Sequence, residues 1–509
     1  MTYYLTMDIG TTSVKICLLD DCFQIICCKG IEYQLITFEN TVELEAEKYL
    51  RTIDQGVSSV LNEYDGAEIV GITVTTQGET LIPVDKNGAP IYNAVTWLDS
   101  RASEQAKQVR KIVPDNEFYR ITGITECNGF CPVSKLLWFK QKKPLIYEKT
   151  MYFLLLEDFV LHYLTGRFVT EKSLLSTTGY FDVMNDKIWS DLLKKLDIDE
   201  SKIPPVMDCG EAVGEILPDI TRRLCLPEHV MVVTGAMDQV CGAIGAGNFK
   251  SGVITETTGT ALCIGATTNK PECSAWCNIP VYRHYTSSLK LLLPVCMTAG
   301  MALKWFKDVF CTEEASRAEE MGISVYEYLD RVAADAPILS NGVILLPYFS
   351  GSLQPLSVPD FRASFSGIGL NCTKADFLRS VLEGVGYMLK ENIKLLEDVL
   401  GTGTCSVIST GGGAKSDLWS QIKADILNSE IIVNAESETA SIGAAILCAK
   451  GLGVFKSPAD AFENIYMKTK IFLPDSGAAQ KYEIGFDKYL AMRDQMRDIY
   501  REERVSHEE

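Results

Sequence analysis

The sequence is poor in histidine: only His162, His229, His284 and His507 occur, and they lie far apart. Its seventeen cysteines are irregularly placed, and no CxxC pair appears among them. A zinc site needs several nitrogen or sulfur ligands at short spacings, so neither a zinc centre nor a disulfide framework is indicated. Reduced, mostly buried thiols are expected instead. No apolar run approaches the roughly 18 residues of a membrane span. The start, MTYYLTMDIG, lacks the basic and long apolar regions of a signal peptide. A cytoplasmic protein without a membrane partner is therefore expected. Positive charge is also scarce: 48 Lys and Arg face 67 Asp and Glu, and the net charge of −19 argues against a nucleic-acid partner. Small anions stay open as ligands, because backbone N–H groups bind phosphate without a basic patch. Neither a GxxxxGK[ST] loop nor an opening GxGxxG fingerprint is present, which excludes the two commonest nucleotide loops.

A chain of 509 residues points to more than one core. YYLTMDIGTT and SVKICLLDD read as two strands around a Gly-Thr turn, and FQIICCKGIEYQL continues the β pattern. ELEAEKYLRTIDQGVSSVLNEY has helical spacing, and AEIVGITVTT reads as a buried strand. The order returns later, with GVITETTGTALCIGATT as strand, turn and strand. A long helix follows, with Phe377, Val381, Val385, Leu389, Ile393 and Leu396 on one stripe, and then CSVISTGGGAKSDLWSQIKADIL as strand, turn and helix. This echo predicts two α/β domains, 1–247 and 248–509, meeting at the small residues of GAGNFKSG. The tail from about residue 480 reads as a charged helix.

Three turns share a plan of strand, Gly and hydroxyl residues: DIGTTSVK (8–15), TETTGTAL (255–262) and STGGGAKS (409–416). Such turns expose successive N–H groups and let a phosphate approach closely. Singly each is only a turn; together they suggest a nucleotide between domains, the GGG turn suiting adenosine. Asp8 either closes its turn or holds Mg2+, and Lys15 is either a solvated strand lysine or a cation near phosphate. Asp238, in VVTGAMDQVCGAIGAG, is the one charge between Val230 and Asn248. It reads as a helix-start residue accepting N–H bonds or as a functional acid.

These segments resemble the FGGY carbohydrate kinases, within the wider sugar kinase, Hsp70 and actin superfamily. DIGTTSVK is similar to the first phosphate loop, TTGTAL to the second, GAMDQVCGAIGAG to the catalytic-aspartate segment, and STGGGAKSDLWSQIKADIL to the adenosine segment. GFCPVSKLLWFKQ (129–141) and SFSGIGLNCTKADFLRSVLEG (364–384) resemble further family signatures. The resemblance runs in order from residue 3 to about 452. It implies a two-domain sugar kinase/Hsp70/actin-like α/β fold, each domain a mixed, ribonuclease H-like sheet flanked by helices. It implies ATP and Mg2+ as cofactors and a small-molecule sugar as substrate. By position, it implies Asp238 as general base and Gln239 as a neighbour on the substrate, with Asp8 as the metal carboxylate. Thr11, Thr12, Lys15, Gly259 and Thr260 imply phosphate contacts, and Gly411, Gly412 and Ser416 adenosine contacts. Trp97 and Asp99 of WLDSR, with Gln77 and Glu79 of TQGET, fall beside the sugar pocket; Trp97 reads equally as interface core.

The chain departs from better-known members in that pocket. Xylulokinases carry a QMHG-type sequence where Gln77 stands here, and glycerol kinases an Arg-Glu pair where Gly78 precedes Glu79. D-xylulose is the leading substrate, with other ketoses, deoxyketoses and polyols as alternatives. A rival reading is an actin- or Hsp70-like ATP-binding sensor without sugar chemistry. The oligomeric state stays open, a homodimer included.

Overall fold

The protein is described from a computed structural model covering residues 2–508, apart from 65, 271–277, 355, 357, 402, 404, 405, 435–437, 466 and 467, with side chains to residue 500. Strands β1 (Thr2–Ile9), β2 (Ser13–Asp20) and β3 (Ile25–Glu32) form an antiparallel meander. Helix α1 (Ala46–Leu61) forms where Tyr49, Ile53, Val57 and Val60 recur at three- and four-residue spacing. It leads to β4 (Glu68–Thr76), parallel to β1. With β5 (Ala212–Glu215) and β6 (Met231–Val233) these make a six-stranded sheet in the order β5-β6-β4-β1-β2-β3. Alternation divides β1 between two cores: Leu5, Met7 and Ile9 pack with α1, and Tyr4 packs on the other face.

The second sheet contains β7 (Val253–Thr258), β8 (Leu262–Thr268), β9 (Val281–Arg283), β10 (Lys290–Leu292), β11 (Ser406–Thr410), β12 (Ile431–Asn434) and β13 (Thr469–Phe472). They run in the order β9-β10-β8-β7-β11-β12-β13, with Val295–Cys296 beside β8 as an eighth strand. Strand β7 is antiparallel to β8 and parallel to β11, as β1 is to β2 and β4. The echo in the sequence is thus a repeated topology, and the expected α/β plan of two mixed sheets is present.

Six further helices set the site. They are α2 (Pro132–Lys142), α3 (Asp238–Gly245), α4 (Lys374–Leu400), α5 (Asp417–Leu427), α6 (Thr439–Gly451) and α7 (Ser476–Glu508). Helix α6 follows the second sheet in sequence but packs on α3, β1 and β4, and its Ile442 and Ile446 join the first core. A Cβ at Gly245 would overlap the Thr439 carbonyl, and one at Gly443 the Cys241 carbonyl, so α3 and α6 cross backbone to backbone. Helix α4 buries more than the expected stripe. Arg379 and Glu383 are buried off it, paired with each other, and both bond the Tyr482 hydroxyl of α7.

Two features lie outside the sequence reading. A five-stranded sheet of Ile36–Phe38, Thr41–Leu44, Leu81–Val84, Ala94–Val95 and Tyr152–Leu155 sits beside the first domain's core and carries TQGET and WLDSR at its strand ends. Cys17 and Cys28 stand directly opposite on β2 and β3, with Cα atoms 4.2 Å apart, and form a disulfide. This corrects the expectation of reduced thiols throughout; strand register brings together residues whose spacing in sequence carries no signal. The other described cysteines are free. Among the described residues no helix is long and apolar enough to cross a membrane.

Candidate active site

The first domain's site forms where parallel strands β1, β4 and β6 end, the side of an open sheet at which ligands bind. Asp8, near the end of β1, stands between Lys15 on β2 and Thr75 on β4. The Thr75 hydroxyl donates to the Ala236 carbonyl at 2.7 Å, and Thr76 bridges to Met237. Gln77 and Asp238 therefore emerge side by side. The approach to Asp238 is held from below: Gly235 N–H donates to the Glu157 carboxyl and Met237 N–H to the Ser173 hydroxyl, both at 2.8 Å. Asp238 is the first residue of α3, and its carboxyl accepts the Gln239 N–H at 2.6 Å. Its helix-start position is thus realised. Gln239 lies half-buried beside it.

Burial dominates the electrostatics. It raises Asp8 to about 6, Lys15 opposing and Glu438 adding to the shift. Burial raises Asp238 to about 7, and the charges of Asp8 and Glu79 add to it while the Gln239 N–H works against it. Glu79 also reaches about 7 through burial, restrained by Lys135. Lys135 falls to about 8 through burial, restrained by Glu79 and Asp99. Asp238 thus lies within electrostatic reach of both Asp8 and Glu79.

Glu79 has φ of 61°, a left-handed conformation that is strained for a residue with a side chain. Buried Lys135 of α2 fixes it, donating to the Glu79 carbonyl at 3.0 Å and the Thr96 carbonyl at 2.8 Å. Next to it runs a chain of hydrogen bonds. The Trp97 indole N–H donates to the Thr11 hydroxyl at 3.0 Å, and that hydroxyl donates to the Gln77 side-chain oxygen Oε1 at 2.9 Å. The Gln77 amide in turn donates to Thr80 at 3.2 Å. Thr11, expected at phosphate, is thus tied to the sugar-side residues. Asp99, expected beside the sugar, has both oxygens engaged by Arg101 and one also by the Val42 N–H at 2.6 Å. Its role in the structure is to anchor the WLDSR segment.

On the phosphate side, Thr12 is exposed at the β1–β2 turn, while Lys15 meets Glu438, just before α6, at 2.6 Å. Gly259 and Thr260 form the β7–β8 turn; their carbonyls accept the Gly300 and Ala299 N–H groups at 2.8 and 2.9 Å. Gly411, with φ of 81°, lets the GGG turn pass against the Thr258 carbonyl, and Gly412 opens the helical turn that follows. The Ser416 hydroxyl caps α5 by accepting the Trp419 N–H at 2.9 Å. Beneath both turns lies a fully buried ion pair, Lys423 to Glu256 at 2.6 Å, with Lys423 also donating to Thr258 at 2.8 Å.

Sequence reasoning missed four contributors. Lys135 had a signal, a lysine inside the apolar GFCPVSKLLW helix start. Glu438 and the Glu256–Lys423 pair had none, since partners far apart in sequence meet only through topology. Nor did Tyr282 on β9, whose hydroxyl is held protonated by burial and by the charges of Glu79, Cys131 and Asp238. Cys263 of β8 is pushed up to about 12 by burial, with Asp238 adding, so the second sheet also reaches the acid. Asp8 and Asp238 present hard oxygen donors; for Asp8 no hydrogen-bond donor is found among the described residues, and this chemistry suits Mg2+.

Comparison with known proteins identifies the family. Residues 3–245 match the FGGY family of carbohydrate kinases, N-terminal domain, and residues 255–452 match the C-terminal domain of the same family. The chain is 28% identical over 504 residues to a xylulose kinase of Bacillus subtilis, covering 98% of both proteins. It is 27% identical over 482 residues to a gluconokinase of Bacillus subtilis, covering 94% of this chain and 93% of the relative. Its fold matches the crystal structure of ligand-bound xylulose kinase from Lactobacillus acidophilus with a TM-score of 0.89 and 22% identity, over 99% of this chain and 100% of that one.

Proposed function

Because the chain belongs to the FGGY family of carbohydrate kinases, we propose that it transfers the γ-phosphoryl group of ATP to a hydroxyl of a ketose, with D-xylulose the first candidate. The observation that supports this most is Asp238: a half-buried acid at a helix start, its carboxyl bonded to one N–H and its proton affinity raised to near neutrality. A general base works best when its pKa lies near the operating pH. Asp238 takes the proton of the attacking hydroxyl, the hydroxyl oxygen bonds the γ-phosphorus, and the bond from that phosphorus to the β-phosphate oxygen breaks to release ADP. The protein's task is positioning and charge neutralisation.

Gln77, Glu79, Trp97 and Gln239 meet the sugar, while Asp99 acts through Arg101 by fixing the segment that carries Trp97. Thr12, Lys15, Gly259 and Thr260 receive the β- and γ-phosphates, and Gly411 and Gly412 the adenosine, with Ser416 shaping the turn. Mg2+, when bound at Asp8, supplies neutralisation of phosphate charge. Closure of the two domains expels water, which would otherwise compete with the sugar as nucleophile. On this reading sugar and ATP are its partners, and the cytoplasm, where ATP is supplied, is the location it implies.

The test is ADP release from Mg-ATP over a panel of ketoses, aldoses, polyols and sugar acids, wild type beside Asp238→Asn. A sugar that stimulates wild type by orders of magnitude and leaves the variant silent supports the reading. ATP binding with no stimulation by any acceptor sinks it and favours the sensor.

A further inference from the structure

Strand β3 is an edge of the first sheet, paired with β2 alone. Only Cys27 of its eight residues is buried. One face of the strand is tied to Glu63, just after α1. The Cys27 thiol donates to the Glu63 carboxylate at 3.5 Å, and Lys29 pairs with the same group. The other face carries Cys28, Gly30 and Glu32, all exposed. Among the described residues, the bond from Cys28 to Cys17 is the one side-chain link between that face and β2.

The far end of β3 holds the DIGTTSVK turn. Tyr33, the next residue, donates its N–H to the Thr12 carbonyl at 2.9 Å and its hydroxyl to the Gly10 carbonyl. Register sets Ser13 opposite Glu32 and Lys15 opposite Gly30. Lys15 therefore lies two positions along β2 from Cys17, on the same face. An edge strand with little buried surface opens locally at low cost. The disulfide sits where it opposes that opening, between the free side of β3 and the turn that Tyr33 clamps.

The two sulfurs differ in access. Cys17 is fully buried in the core, whereas Cys28 is exposed. A disulfide with one end at the surface is open to exchange with an external thiol, and a compartment that supplies ATP to such an enzyme keeps thiols reduced.

We propose that Cys17–Cys28 is a redox modification site, opened by a dithiol reductant, and that its state sets how firmly β3 holds the turn and hence the affinity for Mg-ATP. The effect on ATP rests on the kinase reading above, which gives this turn to phosphate. A thiolate of the reductant attacks the Cys28 sulfur, the bond to Cys17 breaks, and Cys17 leaves as a thiolate that takes up a proton. The second thiol of the reductant then attacks the mixed disulfide and releases Cys28. Two electrons pass to the protein, and the reductant departs as its own disulfide.

The experiment compares the full chain oxidised with glutathione disulfide and reduced with dithiothreitol. Alkylation read by mass spectrometry should leave Cys28 unlabelled in the oxidised protein and labelled in the reduced one, while exposed Cys22 and Cys225 are labelled in both. Equilibrium dialysis should give a dissociation constant for Mg-ATP at least about fivefold higher after reduction, the lower end of coupling between two sites. Reoxidation should restore the tighter value. Cys28→Ser should bind like the reduced protein and ignore both reagents, and Cys17→Ala with Cys28→Ser gives the same comparison without an unpaired Cys17.

Labelling of Cys28 in the oxidised protein overturns the proposal, as does equal ATP affinity in the two states. A response to reductant that persists in Cys28→Ser also overturns it, by placing the effect on another cysteine. The two readings separate through turnover. An affinity change with no acceptor phosphorylated supports the redox site and sinks the kinase reading, whereas turnover with unchanged affinity does the reverse. Absence of ATP binding in both states sinks both.

Discussion

Lys15 Nζ and Glu438 Oε2 lie 2.6 Å apart, joining the first phosphate turn to the start of the helix that returns from the second sheet. The pair is part-open to solvent, at 40% and 23% side-chain exposure, so it contributes at most about 1 kcal/mol to stability. On the proposed reading its consequence is functional, because a phosphate at Lys15 would have to draw that side chain away from Glu438. Glu438→Gln should lower the KM for Mg-ATP by roughly threefold, within the energy of such a pair, with little change in melting temperature. Steady-state kinetics at varied ATP check this, and an increase in KM would show that Glu438 helps to bind the nucleotide.

Asp238→Asn should lower kcat by roughly 10²- to 10⁴-fold, the usual contribution of a positioned base. The same change should stabilise the protein, with a defined pH dependence. An unfolded aspartate loses its proton near pH 4, whereas folded Asp238 keeps it to about 7. Between these values the folded state binds the extra proton, so this contribution to stability is full below pH 4 and lost as pH rises through 7. Urea unfolding should find the variant about 2 kcal/mol more stable than wild type at pH 8 and equal to it near pH 4, after allowance for partial solvation of the carboxyl.

Thr11→Val removes the hydroxyl that links Trp97 to Gln77. The acceptor KM should rise about 10-fold, the equivalent of 1.4 kcal/mol, with the ATP KM little changed. The opposite split would return Thr11 to the phosphate, where its place in DIGTTSVK first put it.

Lys423→Met leaves Glu256 as a buried acid without its cation beneath the β7–β8 turn. Unfolding should show a loss of about 3–5 kcal/mol, largely restored when Glu256→Met is added. Equal losses in the single and double variants would mean that packing of the lysine stem, and not charge, dominates.

Much of this site was legible in the sequence because its turns are local. DIGTTSVK, TETTGTAL and STGGGAKS each carry their own conformation in Gly and hydroxyl residues, and the lone acid in GAMDQVCGAIG stands out against apolar neighbours. The repeated strand order was legible for the same reason, since hairpins and strand–helix units are built from neighbours in the chain. What escaped was whatever depends on distant pairing. Asp99 reads as a free acid until the fold brings Arg101 and Val42 onto both its oxygens. Tyr282 lies on a strand of the second sheet and comes within electrostatic reach of Glu79 and Asp238 only through the fold. Cys17 and Cys28 face each other only because β2 and β3 pair in one register.

The crossing of α3 and α6, with Gly245 and Gly443 pressed against opposite carbonyls, acts as a bearing without lubricant. No layer of side chains lies at that contact to shear, so the helices cannot slide without peptide groups colliding; they can only turn about the line of touch. Helix α6, although it follows the second sheet in sequence, is thereby pinned to the first domain's core. Glu438, at the start of that pinned helix, is kept in place opposite Lys15.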